Sequence, residues 1–363
     1  MPHPAKSTLM EMFQRLVEHD HEQVIAFNNN ASGLRGFLAI HDTTLGSAFG
    51  GVRIWRYEND AAALTDALRL SRAMTYKASL AELPCGGGKT VILLHDGLRR
   101  QEAFADFGCM VESLSGRYFC ARDVGIADAD LAAIASTTRF VALEPSPDLG
   151  DVSEHTAIGV WHGMRACLEF AGISGKIRVA IQGVGSVGLL LARILRREGF
   201  DLILADIDPA RVARVAGELG AQVVRADEIL SANCDVLAPC ALGGVISLNT
   251  VPGIQARIVC GSANNILAGP DAGAAMAHRG IIYAPDYLVN AGGLIRGAEY
   301  FMLGRSESMT SIAKIYDRTR RVLDLARDRG ISPAAVADDL AESRLKRPKR
   351  FSNLTWRGNP KQN

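Results

Sequence analysis

Two lysines with unusual surroundings open the chemical reading. Both lie in Met74-Thr-Tyr-Lys-Ala-Ser-Leu-Ala-Glu-Leu-Pro-Cys-Gly-Gly-Gly-Lys-Thr-Val-Ile-Leu-Leu94. Lys77 sits near the end of a helical apolar pattern that begins around Asp60, and Lys89 ends a glycine run before the apolar stretch Val91 to Leu94. A helix end and a strand start, joined by a turn rich in Pro and Gly, can aim two ammonium groups into one cleft. Glycines there let backbone or ligand approach closely. Burial and mutual repulsion both lower a lysine pKa, which makes a general base at neutral pH. Residue type alone favours ordinary solvated lysines. Gly88-Lys89-Thr90 looks like the end of a phosphate-binding P-loop, but that loop needs a glycine where Leu83 stands, and no strand pattern leads into it.

A third candidate is Asp123. It follows the short strand pattern Tyr118 to Ala121 within Arg122-Asp-Val-Gly125. Ligands gather at the carboxyl ends of strands in open α/β sheets, so Asp123 is either an acid or base partner or a helix-capping aspartate.

A separate motif has the spacing expected of a dinucleotide site rather than of a plain glycine-rich turn. Ile177 to Gln182 is a strand pattern, Gly183-Val-Gly-Ser-Val-Gly188 follows it, Leu189 to Arg197 is helical, and Leu202 to Ala205 is a strand ending at Asp206. That context gives GxGxxG its meaning. Gly183 and Gly185 allow a tight turn and close approach to a pyrophosphate, Gly188 permits helix–strand contact, and the helix N-terminus at Ser186 and Val187 offers N–H donors. Asp206 would accept from the adenosine ribose and repel a 2′-phosphate, which favours NAD; Arg211 lies nearby. Further strand ends, at Ala238-Pro-Cys-Ala241 and Gly261-Ser-Ala-Asn-Asn265, should line the nicotinamide half of the site through Ala238, Cys240, Ala241 and Asn264.

These residues require elements to position them. Leu9 to Glu18 reads as a helix; Gln23 to Phe27 and Leu34 to Ile40 read as strands; Thr43 to Arg53 reads as a glycine-rich connection leading to the helix Asp60 to Leu80. Phe104 to Ser113 and Glu154 to Phe170 are helical, with Glu144 to Asp151 a linker between them. Short strands follow at Val223-Val224, Asp235 to Leu237, Arg257 to Cys260 and Ile281 onward, then one long helix from Met309 to Arg327 and another from Pro333 to Arg344. The basic tail from Leu345 reads as solvated or subunit-contacting.

With 363 residues, 48% of them hydrophobic and 22% charged, the chain suits a two-domain globular protein. A net charge of +1 argues for neither nucleic acid nor membrane partners, and no apolar run reaches transmembrane length. Met1 to Ser7 lacks the apolar core of a signal peptide, and the seven cysteines form no CxxC pair, so a cytoplasmic protein without a zinc site is expected.

Taken together, these motifs resemble the Glu/Leu/Phe/Val amino-acid dehydrogenase family, its leucine-acting members most, with their valine- and phenylalanine-acting relatives. The resemblance runs from about Glu22 to about Arg344. It rests on Gly50-Gly-Val-Arg53, Met74-Thr-Tyr-Lys77, Leu83-Pro-Cys-Gly-Gly-Gly-Lys-Thr90, Asp123-Val-Gly125, Ala238-Pro-Cys-Ala-Leu-Gly243, Gly261-Ser-Ala-Asn-Asn265 and Tyr283-Ala-Pro-Asp-Tyr287. It implies an α/β fold of two domains with the active-site cleft between them. One is an α/β substrate-binding and oligomerisation domain, residues 1–148 joined by 328–363. The other is a doubly wound NAD-binding Rossmann domain, residues 149–327.

The resemblance also implies roles. Lys77 binds the substrate carboxylate, Lys89 is the catalytic base, Asp123 handles protons with it, Asn265 helps hold substrate, and Thr156 meets the nicotinamide amide. Phe49, Ala121, Leu294 and Gly297 match the side-chain pocket, and Gly50 and Gly51 are also expected to bind substrate. The implied reaction is reversible oxidative deamination. NAD takes the α-hydride of an L-amino acid, Lys89 deprotonates a water that attacks the resulting iminium carbon, and ammonia leaves with Asp123 shuttling protons. Leucine, valine or isoleucine is expected as substrate, with phenylalanine the alternative. A glutamate-acting member would need a lysine where Phe49 stands. A non-catalytic NAD sensor would be expected to have lost one of the lysines or Asp123, yet all three are present. The family implies a homo-oligomer, a dimer or a higher assembly up to an octamer. Two departures stand out. Arg122, where an acid or smaller residue is usual, would lower the Asp123 pKa, and Arg296 replaces a common asparagine.

Overall fold

A computed structural model describes residues 13–142 and 149–346. The expected helix before Phe13, most of the expected linker and the tail beyond Lys346 lie outside them. The chain forms two compact units that divide between Gly150 and Asp151; residues 301–304 and 342–346 return to the first. The C-terminal stretch expected to join the first domain from residue 328 therefore does so only from Glu342, because Arg305 to Ala341 packs with the second unit. No helix among the described residues is long and apolar enough to cross a membrane.

In the first unit, residues 13–18 are helical (α1) and a five-stranded sheet has the order β1-β2-β4-β3-β5. Its strands are β1 (Gln23–Asn29), β2 (Leu34–Asp42), β3 (Ala48–Trp55), β4 (Gly86–Leu93) and β5 (Tyr118–Arg122). β1, β2 and β4 pair antiparallel, whereas β4, β3 and β5 run parallel. Helix α2 (Asp60–Leu80) matches its expected span. The Asn59 side chain accepts from the Ala62 N–H at its start, and Ala63, Leu64, Ala67 and Leu68 form the buried stripe. That stripe packs on Ala39 and Val91, with Phe37 and Leu93 beside them, so α2 covers one face of β2 and β4.

Two sequence expectations are corrected here. The stretch Thr43 to Arg53 is not all connection, since β3 occupies the middle of the parallel part. The glycines before Lys89 belong to β4 rather than to a turn. The reason is crowding. A Cβ on Gly87 would lie 2.1 Å from the Thr75 nitrogen, so α2 rests directly on that strand's backbone.

The second unit holds a six-stranded sheet, every pair parallel, in the order β11-β10-β9-β6-β7-β8. Its strands are β6 (Arg178–Gln182), β7 (Asp201–Ala205), β8 (Gln222–Val223), β9 (Val236–Pro239), β10 (Ile258–Val259) and β11 (Ile282–Tyr283). The chain runs from β6 to β7 and β8 on one side, then returns to β9 and continues to β10 and β11 on the other, which makes the β6–β9 boundary a topological switch point. The apolar run expected of buried parallel strands is present, with Val179, Ala180, Ile181, Leu204 and Leu237 all closed to solvent. The helix expected from Met309 to Arg327 is two helices, Met309–Ala313 and Ile315–Arg329, broken at Lys314.

Candidate active site

The first unit's chemistry is set by strand register. In a parallel sheet, paired residues share a face, and every second residue repeats it. β3 and β5 pair Phe49 with Phe119 and Gly51 with Ala121; two residues on, Arg53 and Asp123 follow on that same face. β4 pairs Gly87 with Phe49 and Thr90 with Val52, which puts Lys89 beside Gly51 on this face as well. Lys89 is only 5% exposed, which rules out a solvated lysine. Its Nζ lies 2.6 Å from Asp123 Oδ2. The same oxygen accepts from Arg53 Nε at 3.0 Å. Arg53 Nη1 in turn meets Asp66 Oδ2 of α2 at 2.9 Å, and Tyr57 donates to that oxygen at 2.6 Å.

Burial lowers the Lys89 pKa from its ordinary value, and Arg53's charge adds to the depression while Asp123 opposes it. Burial works against the Asp123 carboxylate, but Lys89 and Arg53 outweigh it and hold the group below its ordinary value. The pair is therefore an ionised acid beside an amine that gives up its proton more readily than a free lysine, the profile of a general base and its partner. The expected cation beside Asp123 was Arg122, and this is corrected. Arg122 faces the other way, bonding the Ile126 carbonyl at 3.2 Å and pairing with Asp128, because successive strand residues point to opposite faces. The positive neighbour weighing on Lys89 is Arg53. Lys77 is half-buried in the last turn of α2, the helix that covers β4.

Phe49 is buried with its ring stacked on Phe119, centroids 5.7 Å apart, and Phe119 in turn packs on Phe301. Ala121 presents only a methyl group on the same face. Gly50 and Gly51 are both buried in β3. Arg53 and Asp66 are the residues sequence reasoning missed. The quoted Gly-Gly-Val-Arg motif ended on Arg53, but nothing local signals a partner 70 positions away.

In the second unit, the glycine loop fits a dinucleotide. Nothing lies within 4 Å of where a Gly185 side chain would be, so backbone stands open there for a pyrophosphate. A Cβ on Gly188 would lie 2.0 Å from the Gly183 carbonyl oxygen, and one on Gly183 2.7 Å from Ala241 Cβ. Helix α6 (Ser186–Arg197) begins directly after Gly185, with Ser186 and Val187 in its first turn. Asp206 accepts from the Val184 N–H at 2.8 Å and the Asp208 N–H at 3.0 Å, and Arg211 lies 3.4 Å away. Burial opposes its charge, yet these donors hold its carboxyl below the ordinary value. Cys240 bonds back to Gln182 through its N–H, which folds the end of β9 (Ala238 and beyond) toward the loop.

Other expected residues of this unit cluster near the same strand ends. Asn290 donates to Asn264 Oδ1 at 2.9 Å. Asn265 takes a left-handed backbone with φ of 54°, which asparagine tolerates better than most residues. Thr156 sits in the first turns of α5 (Val152–Phe170), and a Cβ on Gly293 would come within 2.7 Å of its hydroxyl. Leu294 and Gly297 are buried one turn apart on α10 (Gly292–Leu303). Arg296 between them is buried, donating to the Arg305 carbonyl and lying over the Tyr300 ring at 5.2 Å.

A first unit with a buried lysine–aspartate pair and a second, parallel-sheet unit with a glycine loop and an acid at the next strand's end have the make-up of a dinucleotide-dependent oxidoreductase. Residues 21–140 match the family model for the Glu/Leu/Phe/Val dehydrogenase dimerisation domain, and residues 201–298 match that for glutamate/leucine/phenylalanine/valine dehydrogenase. The chain belongs to this family of amino-acid dehydrogenases. It is 43% identical to leucine dehydrogenase of Geobacillus stearothermophilus over 93% of this chain and 94% of that one. It is 41% identical to valine dehydrogenase of Streptomyces albus over 90% and 92% of the respective chains. The crystal structure of L-tryptophan dehydrogenase from Nostoc punctiforme superposes with a TM-score of 0.81 at 38% identity, covering 92% of this chain and 98% of that one.

Proposed function

We propose that this protein oxidatively deaminates an apolar L-amino acid with NAD, yielding the 2-oxo acid, ammonia and NADH, and that leucine, valine and isoleucine are its preferred substrates. The observation that carries the proposal is the 2.6 Å Lys89–Asp123 contact on a sheet face whose neighbouring side chain is the apolar Phe49. NAD would supply the acceptor for the substrate's α-hydride. The other roles fall to the protein's own residues. Lys77 would bind the α-carboxylate. Lys89 Nζ would take a proton from the water attacking the imine carbon, and Asp123 would return a proton to the departing amine. Gly183, Gly185, Ser186, Val187 and Gly188 would hold the pyrophosphate through backbone N–H groups. Asp206 would take the ribose hydroxyls, and its charge supports NAD over NADP. Thr156, Ala238, Cys240, Ala241 and Asn264 would surround the nicotinamide, with Asn265 on the substrate.

The first unit would serve as the substrate-binding and oligomerisation domain and the second as the NAD-binding domain. The match to a dimerisation-domain model supports a homo-oligomer. Phe49, Ala121, Leu294 and Gly297 would meet the substrate side chain, with Gly50 and Gly51 also binding substrate. The stacked Phe49–Phe119 rings offer an aromatic surface and favour, as a second reading, phenylalanine or another aromatic amino acid. NADH formation from a panel of leucine, valine, isoleucine, phenylalanine, tryptophan and glutamate separates these readings. Glutamate is expected at least about a hundredfold behind in kcat/KM, since burying an unpaired carboxylate costs several kcal/mol. A clear preference for glutamate would overturn the pocket assignment.

A further inference from the structure

One carboxylate oxygen serves two cations. Asp123 Oδ2 receives Lys89 Nζ at 2.6 Å and Arg53 Nε at 3.0 Å. Arg53 is held from its other side, where Nη1 lies 2.9 Å from Asp66 Oδ2. Asp66 is itself fixed by the Tyr57 hydroxyl at 2.6 Å and by Arg69 at 2.8 Å. The chain of contacts crosses β4, the end of β5, β3 and α2. A guanidinium is a planar fork whose donors point in fixed directions, so Nε and Nη1 address two carboxylates at once from separate atoms of one rigid plane, whereas an ammonium's donors radiate from a single atom with no fixed plane. A packed apolar cluster in the same space would stabilise the fold as well or better. Stability alone therefore gives no reason for this arrangement.

The geometry points to Arg53, clamped by Asp66, as a positioning residue for the Lys89–Asp123 pair, one that holds the shared oxygen in place and divides it between two cations. This rests on the reading of Lys89 as the base. Dividing the oxygen weakens Asp123's hold on the Lys89 proton, which must leave before the amine can accept one from water. The charged and titratable groups around Lys89 are few. Asp123 lies beyond β5, Arg53 is on β3, Asp66 and Lys77 are on α2, and Tyr57 lies between β3 and α2. Tyr118 reaches the Gly50 carbonyl from β5. Among them Arg53 pushes the Lys89 pKa down, adding to burial, while Asp123 and Asp66 push it up.

The test compares wild type with Arg53→Gln and Arg53→Lys, through the pH profile of kcat/KM for amino-acid oxidation and thermal unfolding run in parallel. The acidic limb, where activity rises as Lys89 loses its proton, is expected to move up by about one pH unit in Arg53→Gln. In the same variant kcat is expected to fall about 10- to 100-fold. Arg53→Lys keeps the charge, so its limb stays near that of wild type, but kcat still falls because an ammonium lacks the rigid fork whose Nε and Nη1 hold Asp123 and Asp66 in fixed directions. Either folded variant showing the wild-type limb and wild-type kcat, with only a lower Tm, would make Arg53 purely structural. Should wild type oxidise no amino acid, the functional reading fails separately. The titration of Lys89 by NMR of ¹³C-labelled lysine then decides. An upward shift in Arg53→Gln sustains the inference, and an unchanged titration refutes it.

Discussion

Adding one methyl group at Gly51 is expected to disturb the Lys89–Asp123 pair without replacing either residue. A Cβ there would sit 2.7 Å from Asp123 Cβ and 3.1 Å from both Lys89 Nζ and the Arg122 carbonyl oxygen. Non-bonded carbons settle about 3.5–4.0 Å apart, so Asp123 must retreat from β3 by roughly 1 Å. Lys89 and Asp123 now stand 2.6 Å apart, and a displacement of that size carries their contact to or past the hydrogen-bonding limit. Misplacing a catalytic group by about 1 Å can cost about a hundredfold in rate. Overpacking of this kind also destabilises by about 1–3 kcal/mol. Gly51→Ala is therefore expected to fold with a modestly lower Tm, to bind NAD as wild type does, and to lose about two orders of magnitude in kcat with leucine. NADH absorbance gives the rate, and a thermal melt and NAD fluorescence titration give the controls. A Gly51→Ala enzyme within threefold of wild-type kcat would refute the claim that the Lys89–Asp123 contact sets turnover.

Gly185→Ala is the contrasting change. With open space around that position, its Tm should stay at the wild-type value while KM for NAD rises at least tenfold, and unchanged cofactor kinetics would remove the loop from the pyrophosphate site. Lys77→Ala should raise KM for the amino acid sharply while leaving NAD affinity intact, because a substrate carboxylate loses its cation; an unchanged KM would rule out that role. Wild type should prefer NAD over NADP by at least about tenfold in kcat/KM, worth about 1.4 kcal/mol. Asp206→Ser should narrow that gap, helped by Arg211 3.4 Å away, and equal use of the two cofactors by wild type would contradict the assignment.

The second unit was the more legible half of the sequence because its signals are local. Strand, glycine loop, helix and acid follow one another from Ile177 to Asp206, and each reports on its neighbours in the chain. The first unit hides its parallel strands. Gly50, Gly51 and the glycines of β4 interrupt the apolar alternation that marks a strand, and the backbones and side chains that require them to be glycine come from distant segments such as Thr75 and Asp123. Lys89 and Asp123 were identifiable through the motifs they sit in, but the partner choice was not. Arg122 adjoins Asp123 in sequence and points away from it, while Arg53 is 70 positions off and bonds it directly. The break at Lys314 carries no proline or glycine, so the helical pattern runs through it unmarked.

Lys89 is proposed to move the protons of amino-acid oxidation while the glycine loop holds the cofactor independently. Stopped-flow NADH formation from leucine, with NAD affinity measured on the same samples, tests it directly in wild type and Lys89→Ala. The expected result is a rate reduced by about 10²–10⁴, the range a general base contributes, with NAD affinity within about twofold of wild type. A Lys89→Ala enzyme that forms NADH at nearly the wild-type rate would contradict the account.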